Sequence, residues 1–192
     1  MHTLKVLLIE DDPVNQPLAP DLEKNKFSVV SAKPSISALG TFATKEQIDL
    51  VVFNIETPER TILDEIRTLN QHFPIPVIIF ATDSNTETIN QVVKAGASAY
   101  IVDGLETRRI KSIMDVAIAR FREQQSLKNE LEKTKSKLEE RKLIDRAKAI
   151  LIKTRGFSED EAYQTLRKLA MNRNITVGEM AKNIIAMEDL FN

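Results

Sequence analysis

The sequence predicts an α/β chain in three parts: a five-stranded, doubly wound parallel sheet, then a coiled-coil helix, then a small three-helix domain. Three observations predict it. Five short apolar runs alternate with helical periodicities over residues 1–120, and residues 121–140 are rich in Glu, Lys, Gln and Leu with no Pro or Gly. Residues 141–192 carry three apolar stripes at helical spacing, punctuated by Gly156 and two capping patterns.

The strands come first. Residues 5–9 (KVLLI) form an apolar run that ends in Glu10, Asp11 and Asp12, as expected of a buried parallel strand with acids at its carboxyl end. Residues 27–30, 50–53, 77–80 and 99–102 have the same length and composition, with helical patterns between them. Parallel neighbours need crossovers, and right-handed crossovers place helices on both faces of the sheet. Ligands of such sheets gather at the strand carboxyl ends. Tyr100 on the fifth run faces either the core or a partner surface.

A helical stripe of Ile113, Met114, Ala117, Ile118 and Phe121 leads out of the sheet domain without a breaker, so the linker is predicted to be a helix. Leu127, Leu131 and Leu138 recur at steps of four and seven, with polar residues at Arg120, Gln124 and Thr134 between them. That pattern predicts a weak coiled coil and a homodimer through it. In the tail, Ile144, Ala147, Ile150, Leu151 and Thr154 form one stripe, and Gly156 supplies the left-handed position that closes a helix. Ser158 with Glu161, and Thr176 with Glu179, have capping-box spacing. The stripes that follow them are Ala162, Leu166, Leu169 and Ala170, then Met180, Ala181, Ile184, Ile185 and Met187.

Composition narrows the function. The chain is 42% hydrophobic and 29% charged with few Pro and Gly, a globular composition, and neither a membrane span nor a secretory leader is expected from its patterning. A cytoplasmic location is expected. Two His, no Cys and no glycine-rich phosphate loop leave no assembled catalytic set, so no enzyme and no cofactor are predicted. The net charge of −1 conceals an asymmetry, because residues 121–192 hold 15 Lys and Arg against 12 Asp and Glu. Arg141, Lys142, Arg146, Lys148, Lys153 and Arg155 have only Asp145 among them, a cluster suited to a phosphate backbone.

Residues 4 to 120 resemble a response-regulator receiver domain, through Glu10 and Asp11, the segment 49–58 (DLVVFNIETP) and the segment 94–102 (KAGASAYIV). In a working receiver, two acids and a third carboxylate hold Mg²⁺, and the third accepts a phosphoryl group. Here Asn54 stands at the acceptor position, and an amide cannot form the acyl phosphate. Ala81 stands where the family places a switch hydroxyl, with Thr82 adjacent, and Asp103 replaces the cation that pairs with the phosphoryl group. The expectation is a receiver-like platform that has lost phosphorelay chemistry, with at most weak Mg²⁺ binding at Glu10 and Asp11.

The tail resembles the ANTAR module of the AmiR/NasR antiterminators. The resemblance rests on Arg146, Ala147, Lys148, Leu151, Gly156, Ala162, Tyr163, Leu166, Arg167, Ala170, Met171, Asn172 and Ala181. The domain order expected is 1–120 receiver-like, 121–140 linker helix and 141–192 ANTAR. As a whole the chain is similar to the NasT-type nitrate-response antiterminators of two-component systems. That similarity implies binding to paired stem-loops in leader mRNA to prevent termination, under restraint by a NasS-like nitrate-sensing protein. Within the module, Tyr163, Arg167, Asn172 and Arg173 suit loop bases, while Arg146, Lys148, Lys153 and Arg155 suit phosphates. The alternatives are a protein-binding scaffold or a DNA-binding response regulator; DNA is disfavoured because no recognition-helix pattern follows a tight turn.

Overall fold

The computed structural model describes residues 3–10, 17–31, 39–103 and 106–191. The chain divides into two compact units, Met1–Gln125 and Ser126–Asn192. Elements follow in the order β1 (Lys5–Glu10), α1 (Ala19–Lys24), β2 (Ser28–Ser31), α2 (Leu39–Lys45), β3 (Leu50–Ile55), α3 (Arg60–His72), β4 (Val77–Ala81), α4 (Thr86–Ala95), β5 (Ala99–Val102), α5 (Thr107–Arg155), α6 (Glu159–Arg173) and α7 (Val177–Phe191).

All five strands pair in parallel, in the order β2-β1-β3-β4-β5. Because successive side chains of a strand point to opposite faces, the uninterrupted apolar runs feed two cores. Leu7, Val51, Phe53 and Ile79 pack with Ile62, Ile66 and Leu69 of α3 and with Val92 of α4. Val6, Leu8, Leu50, Val52, Ile78 and Phe80 pack on the other face with Leu22 of α1 and with Ile110, Met114 and Ala117 of α5. The strand order reverses between β1 and β3, which opens a crevice outside their carboxyl ends. Register sets Glu10 of β1 beside Asn54 of β3 there.

Local chemistry ends the helices around this sheet. Asn85 caps α4 by accepting from the Glu87 N–H at 2.8 Å. Gly96 closes it at φ +101, and the Asn70 side-chain amide donates to the Gly96 carbonyl at 2.8 Å. A Cβ at Gly96 would stand 2.3 Å from that amide nitrogen, so glycine is required both for its φ and for its size.

The second unit contains the end of α5 with α6 and α7. What the stripes of the tail suggest as three short helices is one long helix and two short ones, since nothing between Thr107 and Arg155 interrupts α5. Gly156, at φ +69, follows its end, and its N–H donates to the Ile152 carbonyl at 2.9 Å. Both capping boxes form. The Glu161 carboxylate accepts from the Ser158 N–H at 2.8 Å, and the Glu179 carboxylate from the Thr176 N–H at 2.8 Å. These donors hold both carboxyls below the usual range. The core is Ala147, Leu166, Ala170, Met180, Ala181 and Ile185, with Leu143, Ile144, Ile150, Leu151 and Ile184 at its margin. Three expected stripe members lie outside it: Thr154, Leu169 and Met187 are exposed. Each lies at the outer edge of its stripe, on the side turned to solvent.

Candidate functional site

At the β1–β3 crevice, Asn54 is 8% exposed and its side-chain N–H donates to Glu10 Oε1 at 2.7 Å. The same oxygen accepts the Leu18 N–H at 2.9 Å. The neutral amide thus does here what a cation does beside a carboxylate: it supplies positive density to Glu10 without a charge of its own. Asp11 lies outside the described residues, so its part in the predicted acidic pocket is not described. The described residues bring one carboxylate and one amide to the corner, and among them no group of three acids or His converges as a metal site. That set fits Mg²⁺ poorly, since the ion needs several oxygen ligands and substantial charge.

The neighbouring positions point the same way. Ala81 ends β4, buried and without a hydroxyl. The Thr82 hydroxyl is used locally, donating to the Glu56 carbonyl at 3.3 Å. Asp103 is exposed just past β5 in a left-handed conformation at φ +36, and its N–H donates to the Ala81 carbonyl at 3.3 Å. Tyr100 is half-buried, and its hydroxyl donates to the Asp83 carbonyl at 2.8 Å. Burial, then the Asp83 charge, pushes that phenol up from its ordinary range. A phosphoryl group beside Asn54 would meet an amide, which is no nucleophile for acyl-phosphate formation.

In the second unit the basic cluster looks different from its sequence. Counted along the chain, it faces only Asp145; folded, it meets carboxylates from elsewhere. Lys148 bonds Asp145 and Glu159, each at 2.8 Å, and these two anions hold its ammonium above the ordinary lysine range. Arg146 reaches Asp189 at 3.1 Å, and Lys142 reaches Glu139 at 3.0 Å. Lys153 and Arg155, at the end of α5, are exposed and form no ion pair among the described residues. Both are therefore available to a phosphate. Pairs as exposed as Arg146–Asp189 contribute at most about 1 kcal/mol, so Arg146 can exchange its partner at little cost.

On α6, Tyr163 is 40% exposed. Arg167, Asn172 and Arg173 are exposed as well, and among the described residues no ion pair holds Arg167. The acids of α6 are confined to its first turn, Glu159, Asp160 and Glu161, where the helix dipole favours them. From Ala162 to Asn174 the helix has no acid. An aromatic ring, two guanidinium groups and an amide therefore stand in the open on the part of α6 that carries only positive charges.

The sequence of residues 6–115 matches the response regulator receiver domain, and residues 132–185 match the ANTAR domain. Transcriptional regulatory protein PdtaR of Mycobacterium tuberculosis is 26% identical over 182 residues, covering 94% of this chain and 89% of that protein. A nitrate regulatory protein of Klebsiella oxytoca is 35% identical over 89 residues, which are 46% of this chain and 22% of that protein. The crystal structure of a response regulator from Thermotoga maritima superposes with a TM-score of 0.51 at 27% identity, covering 62% of this chain and 99% of that one. Both matched domains are regulatory rather than enzymatic. Among the described residues no helix is long and apolar enough to cross a membrane.

Proposed function

We propose that this chain, which belongs to the response-regulator receiver family and carries an ANTAR domain after its receiver, is an RNA-binding antiterminator of the cytoplasm. It engages paired stem-loops in a leader transcript and keeps a terminator from forming. One observation carries the reading: α6 exposes Tyr163 and Arg167 on a stretch without acids, in the same unit as Lys153 and Arg155, which form no ion pair among the described residues. Unstacked loop bases need a ring to stack on and donors for their edges, while flanking phosphates need cations. Similarity to a nitrate regulatory protein supports nitrate assimilation as the setting.

Control falls to a partner protein of the NasS-like, nitrate-sensing kind, because the Asn54–Glu10 pair removes the chemistry by which phosphate would act. Residues 1–120 then serve as the platform for that partner, 121–140 as the joining helix and 141–192 as the RNA module. Leu127, Leu131 and Leu138 are all more than half exposed on α5, in keeping with a homodimer through that helix. Sedimentation should show dimers that dissociate on dilution; a monomer at every concentration, with and without RNA, removes the dimer from the mechanism.

Salt dependence tests the phosphate contacts. Lys153→Ala is expected to weaken binding to cognate and unrelated hairpins alike and to lower the slope of log K against log salt by roughly 0.7, the share of one single-strand phosphate contact. Lys148→Ala should change the slope less, because its ammonium is already held by Asp145 and Glu159. Equal slopes for wild type and Lys153→Ala would take Lys153 out of the interface.

A further inference from the structure

Along α6, Tyr163, Arg167 and Met171 recur every four residues and so share one face of the helix. Met171 is 71% exposed, more than any other large apolar side chain among the described residues. It does not serve the core of its unit, to which α6 turns Ala162, Leu166 and Ala170, a row about 100° around the helix. Helical side chains lean toward the N-terminus, so Met171 overhangs the turn of Arg167, and Arg167 overhangs the turn of Tyr163. The result is a ridge with an aromatic at one end, a thioether at the other and a guanidinium between them.

Its length and charge identify the occupant. Eight residues of helix rise about 12 Å, and bases stacked along one strand are about 3.4 Å apart, so the ridge spans about three of them. Arg167, Lys168 and Arg173 are the only charged residues between Ala162 and Asn174, so beyond the acidic first turn of α6 the ridge is flanked along its own helix by cations alone. Apolar and π surfaces set among cations complement a single strand, which presents base faces and phosphates together; a duplex hides its base faces. A polarizable thioether also packs favourably on aromatic rings.

Resting on the RNA-binding reading above, we propose that Met171 is a specificity-determining residue. The ridge of Tyr163, Arg167 and Met171 takes bases splayed out of a hairpin loop, one stacked on the Tyr163 ring and one packed against the Met171 thioether, with the Arg167 guanidinium at a base edge between them. Discrimination between loops then resides on α6, while Lys153 and Arg155 bind phosphate whatever the sequence.

The test uses the full chain with three RNAs: the cognate hairpin, the same hairpin with abasic sugars in its loop, and a blunt duplex of the same stem. Met171→Ala should weaken hairpin binding roughly 5- to 30-fold, within the range found when one base stack is removed. Binding to the abasic hairpin and the duplex should stay as in wild type, and the salt slope should not change because no phosphate contact is lost. Met171→Leu, which keeps the apolar bulk, should recover most of the loss, and circular dichroism should show native helicity for both variants. Wild-type affinity for the hairpin in a folded Met171→Ala protein, or an equal loss on the duplex, overturns the proposal while leaving RNA binding standing. Failure of the wild type to bind any of the three RNAs overturns the RNA reading and this proposal together. Unchanged RNA affinity with weakened self-association in sedimentation assigns the ridge to a protein contact and overturns it as well.

Discussion

Leu166→Ala is expected to unfold the ANTAR unit and abolish RNA binding while the parallel sheet stays folded. Leu166 is fully buried, central on α6, and packed in a small core in which Ala147, Ala170 and Ala181 are three of the other five buried members. Alanines have little side chain with which to close a void, so the cavity should persist, and truncations of this kind cost about 2–5 kcal/mol. A unit the size of Ser126–Asn192 has a total stability of only about 3–5 kcal/mol. The loss is therefore comparable to the whole. Thermal unfolding followed by circular dichroism should lose the transition of the helical unit and keep that of the sheet; native helicity with intact RNA binding would show that Leu166 is not a keystone.

The second large effect is expected from Asn54→Asp. Asn54 donates to Glu10 at 2.7 Å, and the substitution replaces that donor with a second carboxylate in a buried position. A hydrogen bond to a charged acceptor contributes roughly 1.5–3 kcal/mol, and repulsion between two close carboxylates adds to its loss. The variant should thus be markedly less stable than wild type at neutral pH. Proton sharing between the two acids relieves the repulsion, so the gap should narrow as pH falls into the carboxylate range. Denaturant midpoints across pH measure this, and a pH-independent gap would exclude the like-charge explanation. In parallel, acetyl phosphate with Mg²⁺ should leave the wild-type mass unchanged. A phosphoryl increment lost on mild hydrolysis would show that another acid acts as acceptor.

Much of this architecture is legible in the sequence because it rests on local chemistry. Apolar runs bounded by polar residues mark all five strands, and Ser158 with Glu161 and Thr176 with Glu179 announce the starts of α6 and α7. The replacement of an acid by Asn54 is equally plain, since it concerns one residue type at one motif position. What stays hidden depends on distance along the chain. The pairing of Asn54 with Glu10 follows from the strand order β2-β1-β3-β4-β5, which no local pattern encodes. Likewise Glu159 and Asp189 meet Lys148 and Arg146 only once the three helices pack, so a cluster that reads as nearly all positive is partly neutralised. Apolar spacing also overstates the core: Leu169 and Met187 fit helical stripes, yet packing leaves both in the open.

Whether this protein reads RNA can be measured outright. The most direct measurement is the affinity of the purified full chain, at physiological salt, for a leader RNA with two stem-loops against a DNA duplex of equal charge. An RNA reader should clearly prefer the RNA, lose further affinity when the loop bases are changed, and show a smaller gap between cognate and altered loops in Arg167→Ala. Equal affinity for RNA and DNA, insensitive to the loop sequence, would contradict that role and leave only a cationic helix bundle that binds polyanions without selection.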